Sequence, residues 1–126
     1  MTLAGTRKDY VTSKSARNVF LAPWLCGAAA LIVEGRFDPA ERLAVIERER
    51  VNVLCQAPTE YRMLAKLDTL GIAHLPRLRH AVSAGEPLNP EVIRWFRDQY
   101  GITVLDYYGL TESYPLCGNF PWMDVR

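Results

Sequence analysis

Four short apolar runs alternate with helical segments along this chain, and that alternation constrains the fold more than any other feature. The runs are 29–33 (Ala-Ala-Leu-Ile-Val), 51–55 (Val-Asn-Val-Leu-Cys), 78–83 (Leu-Arg-His-Ala-Val-Ser) and 102–105 (Ile-Thr-Val-Leu). Each has the length and apolar content of a strand. Between them lie helix signals. Asp38 before Pro39 predicts an N-cap and a first helical residue, with Leu43, Ile46 and Ala44 forming the inward stripe. The charged run 47–50 then reads as a solvated helix end. The turn at 57–59 leads into a helix over 60–67 whose apolar face is Tyr61, Leu64 and Ala65. Asn89 and Pro90 open a further helix that carries Val92, Ile93, Trp95 and Phe96, and Gly101 ends it. From Lys14 a helical pattern through Ser15, Val19, Ala22 and Leu25 is kinked or restarted at Pro23. Strands separated by helices predict right-handed βαβ units. The expectation is an α/β fold, a mainly parallel sheet of about four strands with helices packed on it.

A parallel sheet also says where to look for chemistry, because such sheets bind ligands beyond the carboxyl ends of their strands. Two loops fall there. One is Ser83-Ala84-Gly85-Glu86-Pro87-Leu88, after the third run, and the other is Asp106-Tyr107-Tyr108-Gly109-Leu110-Thr111-Glu112-Ser113, after the fourth. In the second, a hydroxyl stands beside a carboxylate. Thr111 can donate to a phosphate oxygen while Glu112 holds a hard cation directly or through water, a combination suited to a polyphosphate with its magnesium. Tyr108, before a glycine, offers a flat face for a base.

The order Tyr-Gly-Leu-Thr-Glu resembles the Y-G-x-T-E motif of the adenylate-forming enzymes, the superfamily of acyl-CoA synthetases, firefly luciferase and peptide-synthetase adenylation domains. The Gly85-Glu86-Pro87-Leu88 loop is similar to the G-E-P-L loop that precedes it in that superfamily. Residues 20–28, 37–39, 57–64 and 118–121 are also similar to family sequence, so the likeness runs from about Asp9 onward. It is strongest to medium-chain or acetate-type acyl-CoA synthetases. One departure stands in residues 9–16, which resemble a D-x-G-W-x-K-S-A segment with Val11 in place of the glycine and Thr12 in place of the tryptophan.

The resemblance implies ATP, Mg2+ and CoA as reactants and cofactors, and a reaction of carboxylate with ATP to acyl-adenylate and then to acyl-CoA. It implies that the backbone of Gly85, Glu86 and Pro87 lies against the adenine and that Tyr108 stacks on the ring, within a nucleotide contact spanning Asp106, Tyr107, Tyr108, Gly109, Leu110 and Thr111. Asp106 would accept from the adenine amino group. Thr111 would meet the α-phosphate or the acyl-adenylate, Glu112 would bind magnesium, and these two are the expected catalytic residues. Trp24 is expected on a helix that lines or gates the acyl pocket.

Composition narrows the alternatives. With 126 residues, 49% of them hydrophobic, 23% charged and a net charge of +1, the chain suits one soluble unit and carries no basic footprint for nucleic acid. The apolar stretch 19–33 is interrupted by Pro23 and Gly27 and is too short to span a bilayer. Cys26, Cys55 and Cys117 lack paired spacing and are expected to be reduced, mostly buried thiols of a cytoplasmic protein. The expectation is a single partial AMP-binding subdomain over 1–126, with a loose arm over 1–13 and an irregular tail over 114–126.

Enzymes of the superfamily also use a Gly, Ser and Thr-rich phosphate loop with a lysine, a ribose-binding aspartate and a lysine in a mobile carboxyl-terminal domain, and none of these is found in the 126 residues. The chain is therefore expected to be an interior fragment of the large domain of an acyl-CoA synthetase, carrying part of the adenine site and inactive alone. Two other readings are a stand-alone small nucleotide-binding module and a non-catalytic structural or assembly protein that self-associates through surfaces left open.

Overall fold

The structure, a computed structural model, describes residues 8–12, 22–33, 35–67, 74–109, 116–120 and 122–123. The helix signals act where the sequence puts them. Asp38 is extended, its carboxylate accepts from the Glu41 N–H at 2.8 Å, and Pro39 opens helix α2 (Pro39–Arg48). Helix α3 (Pro58–Leu64) also starts on a proline. Helix α4 (Pro90–Tyr100) ends at Gly101, whose left-handed φ of 68° lets its N–H close on the Arg97 carbonyl at 2.8 Å. A short helix α1 (Ala22–Leu25) includes Pro23, and the earlier part of the predicted helical pattern lies outside the described residues.

The sheet is α/β in type and mainly parallel, as predicted. The four expected strands are β2 (Ala29–Ile32), β3 (Val53–Gln56), β4 (His80–Ala84) and β5 (Val104–Tyr108). Two more join them among the described residues. Strand β1 (Lys8–Thr12) falls in the stretch predicted to be a loose arm, and β6 (Cys117–Gly118) falls in the predicted irregular tail. The order is β2-β1-β3-β4-β5-β6. Every pairing is parallel except β5 with β6. Inserting β1 between β2 and β3 makes β2 an edge strand, so Ile32 is exposed and the strand is not the buried one that its apolar run suggests.

Register fixes which side chains share a face. Leu54 pairs with Ala81 and Ala81 with Val104, and this row forms one floor of the core. Leu43 and Ile46 of α2, Tyr61 and Leu64 of α3, and Val92 and Phe96 of α4 cover it. On α2 the inward stripe includes Arg42 and Val45, whereas Ala44 is exposed. Arg42 lies over the Phe37 ring, 5.2 Å from guanidinium carbon to ring centroid, an arrangement that shields a buried cation with an aromatic face. The Tyr61 ring meets Phe96 edge to face at 5.1 Å. Its hydroxyl lies 3.1 Å from the Leu54 carbonyl and 3.0 Å from the Val82 carbonyl, to which it donates one at a time. Tyr61 thus ties α3 to two adjacent strands. Cys55 is buried but Cys26 and Cys117 are exposed, so only part of the expectation of buried thiols holds. Among the described residues no helix is long and apolar enough to cross a membrane.

Candidate functional site

The two loops singled out by sequence emerge side by side. Strands β4 and β5 are parallel neighbours with Ala84 opposite Tyr107, so the next residues, Gly85 and Tyr108, stand at the same carboxyl edge of the sheet. Tyr108 is the last residue of β5 and is 61% exposed. Gly109 follows it, also exposed. Leu110, Thr111 and Glu112 lie outside the described residues. Trp24 is 60% exposed on α1, just ahead of the amino-terminal end of the edge strand β2, and the fold does not bring it to the edge shared by Gly85 and Tyr108.

Gly85 adopts a φ of 101°, a region that side-chain-bearing residues rarely enter, although a Cβ there would meet nothing within 4 Å. Its glycine is therefore demanded by the turn of the chain. From that turn the loop is held against α3. Arg62 Nη2 donates to Glu86 Oε2 at 2.6 Å and to Thr59 Oγ1 at 3.0 Å, while Nη1 donates to Asn89 Oδ1 at 3.1 Å and to the Pro87 carbonyl at 3.4 Å. The Thr59 hydroxyl in turn lies 2.9 and 3.0 Å from the two Glu86 carboxylate oxygens. The Thr59 hydroxyl, with the Arg62 guanidinium beside it, holds the Glu86 carboxyl below its usual pKa. Asn89, predicted to cap α4, makes no side-chain cap and accepts from Arg62 instead.

Asp106 sits one turn of the pleat below Tyr108, half-buried. Desolvation raises its carboxyl pKa, opposed by the backbone N–H of Leu88, the hydroxyl of Ser83 and the N–H of Tyr107. None of these completes a hydrogen bond with Oδ1, which is buried and unpartnered. Tyr107 points to the opposite face, where burial raises its phenol pKa. There β6 packs against it, because Gly118 lacks the Cβ that would collide with the Tyr107 ring. Strand β6 also pins the edge, since the Leu116 N–H donates to the Tyr108 carbonyl at 2.8 Å and the Asn119 N–H to that of Asp106 at 3.0 Å.

A glycine turn and an exposed tyrosine thus stand at neighbouring strand ends, with the Asp106 carboxylate two residues before the tyrosine on the same strand. Residues 14–126 match the family model described as AMP-binding enzyme. The chain belongs to the AMP-binding enzyme family. Over 116 residues it is 40% identical to 4-hydroxybutyrate–CoA ligase 1 of Metallosphaera sedula, a match covering 90% of this chain and 20% of that protein. The acyl-CoA synthetase of Brucella canis is 31% identical with a TM-score of 0.72, over 97% of this chain and 24% of that one. The anthranilate CoA ligase AuaEII, solved in complex with anthranoyl-AMP, has the same fold, with a TM-score of 0.81 at 24% identity over 99% of this chain and 26% of that one. This member of the AMP-binding family spans about a fifth of the length of the curated relatives it matches.

Three contributors to the edge are not singled out by sequence reasoning. Thr59 and Arg62 are three residues apart at the start of α3, and that spacing puts them on one helix face. Gln56 ends an apolar strand immediately before Ala57 and Pro58, and an amide at the last position of a buried strand is itself a signal.

Proposed function

We propose that this chain forms the base-recognition part of an acyl-CoA synthetase. In that reaction a carboxylate oxygen attacks the α-phosphorus of ATP, pyrophosphate leaves, and the CoA thiol then displaces AMP from the acyl-adenylate to give the thioester. The single observation that carries the reading is the register of β4 and β5, which puts the Gly85 turn and the Tyr108 ring at one strand-end edge. Tyr108 would stack on the adenine, a contact of about 1–3 kcal/mol by analogy with bases on aromatic platforms. The backbone of Gly85 to Pro87 would border the ring, steadied by Arg62 and Thr59, and Asp106 would accept from its amino group. Tyr107, Gly109 and Leu110 would shape the chain around this contact.

Thr111 would donate to the α-phosphate. Among the described residues no three histidine, cysteine or acidic side chains gather to hold a metal. A single carboxylate such as Glu112 nonetheless suits magnesium, which takes one or two carboxylates and completes its shell with phosphate and water. When bound, the ion would neutralise phosphate charge.

Titration calorimetry of the 126-residue chain with ATP and magnesium tests the reading. Weak saturable binding is expected, abolished or strongly reduced by Tyr108→Ala, without thioester formation by the chain alone, which spans 20% of the related ligase. Absence of binding, or binding that Tyr108→Ala leaves unchanged, overturns it.

A further inference from the structure

Parallel pairing sets three polar side chains in one row. Gln56 is opposite Ser83, and Ser83 is opposite Asp106. Side chains two residues apart along a strand share a face. The row therefore lies on the same face as Leu54, Ala81 and Val104, one step nearer the carboxyl edge. Gln56 is 3% exposed and Ser83 is 0% exposed. Yet both amide atoms of Gln56, the Ser83 hydroxyl oxygen and Asp106 Oδ1 have no hydrogen-bond partner. Buried polar groups are nearly always paired. Among the described residues three other such atoms, Arg42 Nη1, Glu60 Oε2 and the Tyr100 hydroxyl, occur singly, whereas these four stand in matched positions on three adjacent strands.

The residue types give the row a direction. The glutamine amide can donate from Nε2, the serine hydroxyl can donate and accept, and an ionised aspartate can only accept. From β3 to β5 the order is donor, relay, acceptor. Neighbouring strands lie about 4.8 Å apart, a separation that rotation of the Ser83 and Gln56 side chains about their own bonds can bridge. The Ser83 hydroxyl stands close enough to the Asp106 carboxyl to offset part of the pKa rise that burial causes, although it completes no hydrogen bond with Oδ1. From the core side the row is closed, because Leu54, Ala81 and Val104 fill the floor and the Tyr61 hydroxyl is committed to strand carbonyls. Its open side is the edge where Tyr108 is exposed.

We infer that Gln56 and Ser83 are positioning residues for Asp106: Gln56 Nε2–H donates to Ser83 Oγ, Ser83 Oγ–H donates to Asp106 Oδ1, and the other carboxylate oxygen is turned toward the ligand edge. In its consequence for ligand choice, this rests on the nucleotide reading above. A carboxylate held in that orientation accepts from the 6-amino group of adenine and repels the 6-oxo group of hypoxanthine. Gln56 Oε1, the one of these four atoms that the relay does not use, remains an acceptor for ligand or water.

Two measurements on the 126-residue chain test this. In 15N-edited NMR spectra, Ser83→Ala should move the Gln56 side-chain amide resonances and speed their exchange, while Ser83→Thr, which keeps the hydroxyl, leaves them in place. In calorimetry, the preference for ATP over ITP should fall roughly threefold to tenfold in Ser83→Ala and Gln56→Leu, the range one hydrogen bond spans, and persist in Ser83→Thr. A Gln56 amide that ignores Ser83→Ala, or an ATP preference unchanged in both variants, overturns the relay. If the wild-type chain binds neither nucleotide, the proposed function falls, and the amide resonances alone uphold or overturn the relay.

Discussion

Arg62 of α3 and Glu86 of the loop after β4, 24 residues apart in the chain, meet at 2.6 Å. The guanidinium uses its planar fork on four acceptors at once, Glu86, Thr59, Asn89 and the Pro87 carbonyl. A lysine could not span that set, because its ammonium is a point donor on a flexible stem. The consequence for the proposed site is that Glu86 is occupied as a loop staple, which leaves the backbone around Gly85 and Pro87 as the part proposed to meet the adenine.

Arg62→Ala and Arg62→Lys should therefore have similar effects on the loop. Global stability should change little, since the pair is partly solvent-exposed and screened. Amide exchange at 85–89 should accelerate in both variants, and hydrogen exchange read by mass spectrometry measures it. Because Glu86 has a lowered carboxyl pKa when folded, its stabilising contact is fully present above the ordinary carboxylate range and is lost as pH falls through that lowered value. The wild-type loop should thus keep its slow exchange through mildly acidic pH. Equally slow exchange in Arg62→Lys would show that charge alone, without the fork, holds the loop.

Tyr61→Phe isolates the hydroxyl that bridges β3 and β4. The ring is fully buried and its phenol pKa is pushed well above the ordinary value, first by desolvation, so the group stays a neutral donor. Losing it should cost about 0.5–1.5 kcal/mol, seen as a lower urea midpoint at unchanged m-value. Tyr61→Ala also empties the contact with Phe96 and should cost about 3–5 kcal/mol. A Tyr61→Phe midpoint equal to wild type would mean that the two carbonyls are satisfied without the phenol.

Asp106→Asn separates stability from recognition. Desolvation raises the folded pKa of Asp106, so ionisation opposes folding. Below the unfolded carboxylate pKa that penalty is absent; it grows as pH rises through the folded value and is complete above it. The amide variant should accordingly be more stable than wild type at neutral pH, with the difference vanishing in acid. Its preference for ATP over ITP should shrink, because an amide can present either a donor or an acceptor. Thermal melts at neutral and acidic pH read the first effect. An Asn variant less stable than wild type at neutral pH would contradict the sign.

The topology was largely legible because its signals are local. Asp38-Pro39, Asn89-Pro90 and Gly101 each mark a helix boundary through the conformations that one or two residues allow. The shared edge was legible as soon as the strands were read as parallel. What escaped depends on contacts distant in sequence. Lys8–Thr12 carries two charged residues in five and has no apolar run, yet becomes a strand by inserting between β2 and β3. Asn89 has the local chemistry of a cap and loses that role to Arg62. Gln56, Ser83 and Asp106 look unrelated until register puts them in one row.

Gly118→Ala should detach β6 and loosen the tyrosine edge. Strand β6 is two residues long, and its Gly118 faces Tyr107 across an antiparallel pair. A Cβ at 118 would collide with the Tyr107 ring and crowd the Asp106 carbonyl at 3.2 Å. The ring cannot yield cheaply, being half-buried on its own face of the sheet, so the two-residue strand yields instead. Amide protection of Leu116 and Asn119, which donate to Tyr108 and Asp106, should be lost, with a stability cost of about 1–3 kcal/mol. ATP binding should weaken although Tyr108 is unaltered. Adding Tyr107→Ala removes the obstacle and should restore much of the protection. If the double variant is no better protected than Gly118→Ala, the cause is backbone freedom at 118 and not the collision.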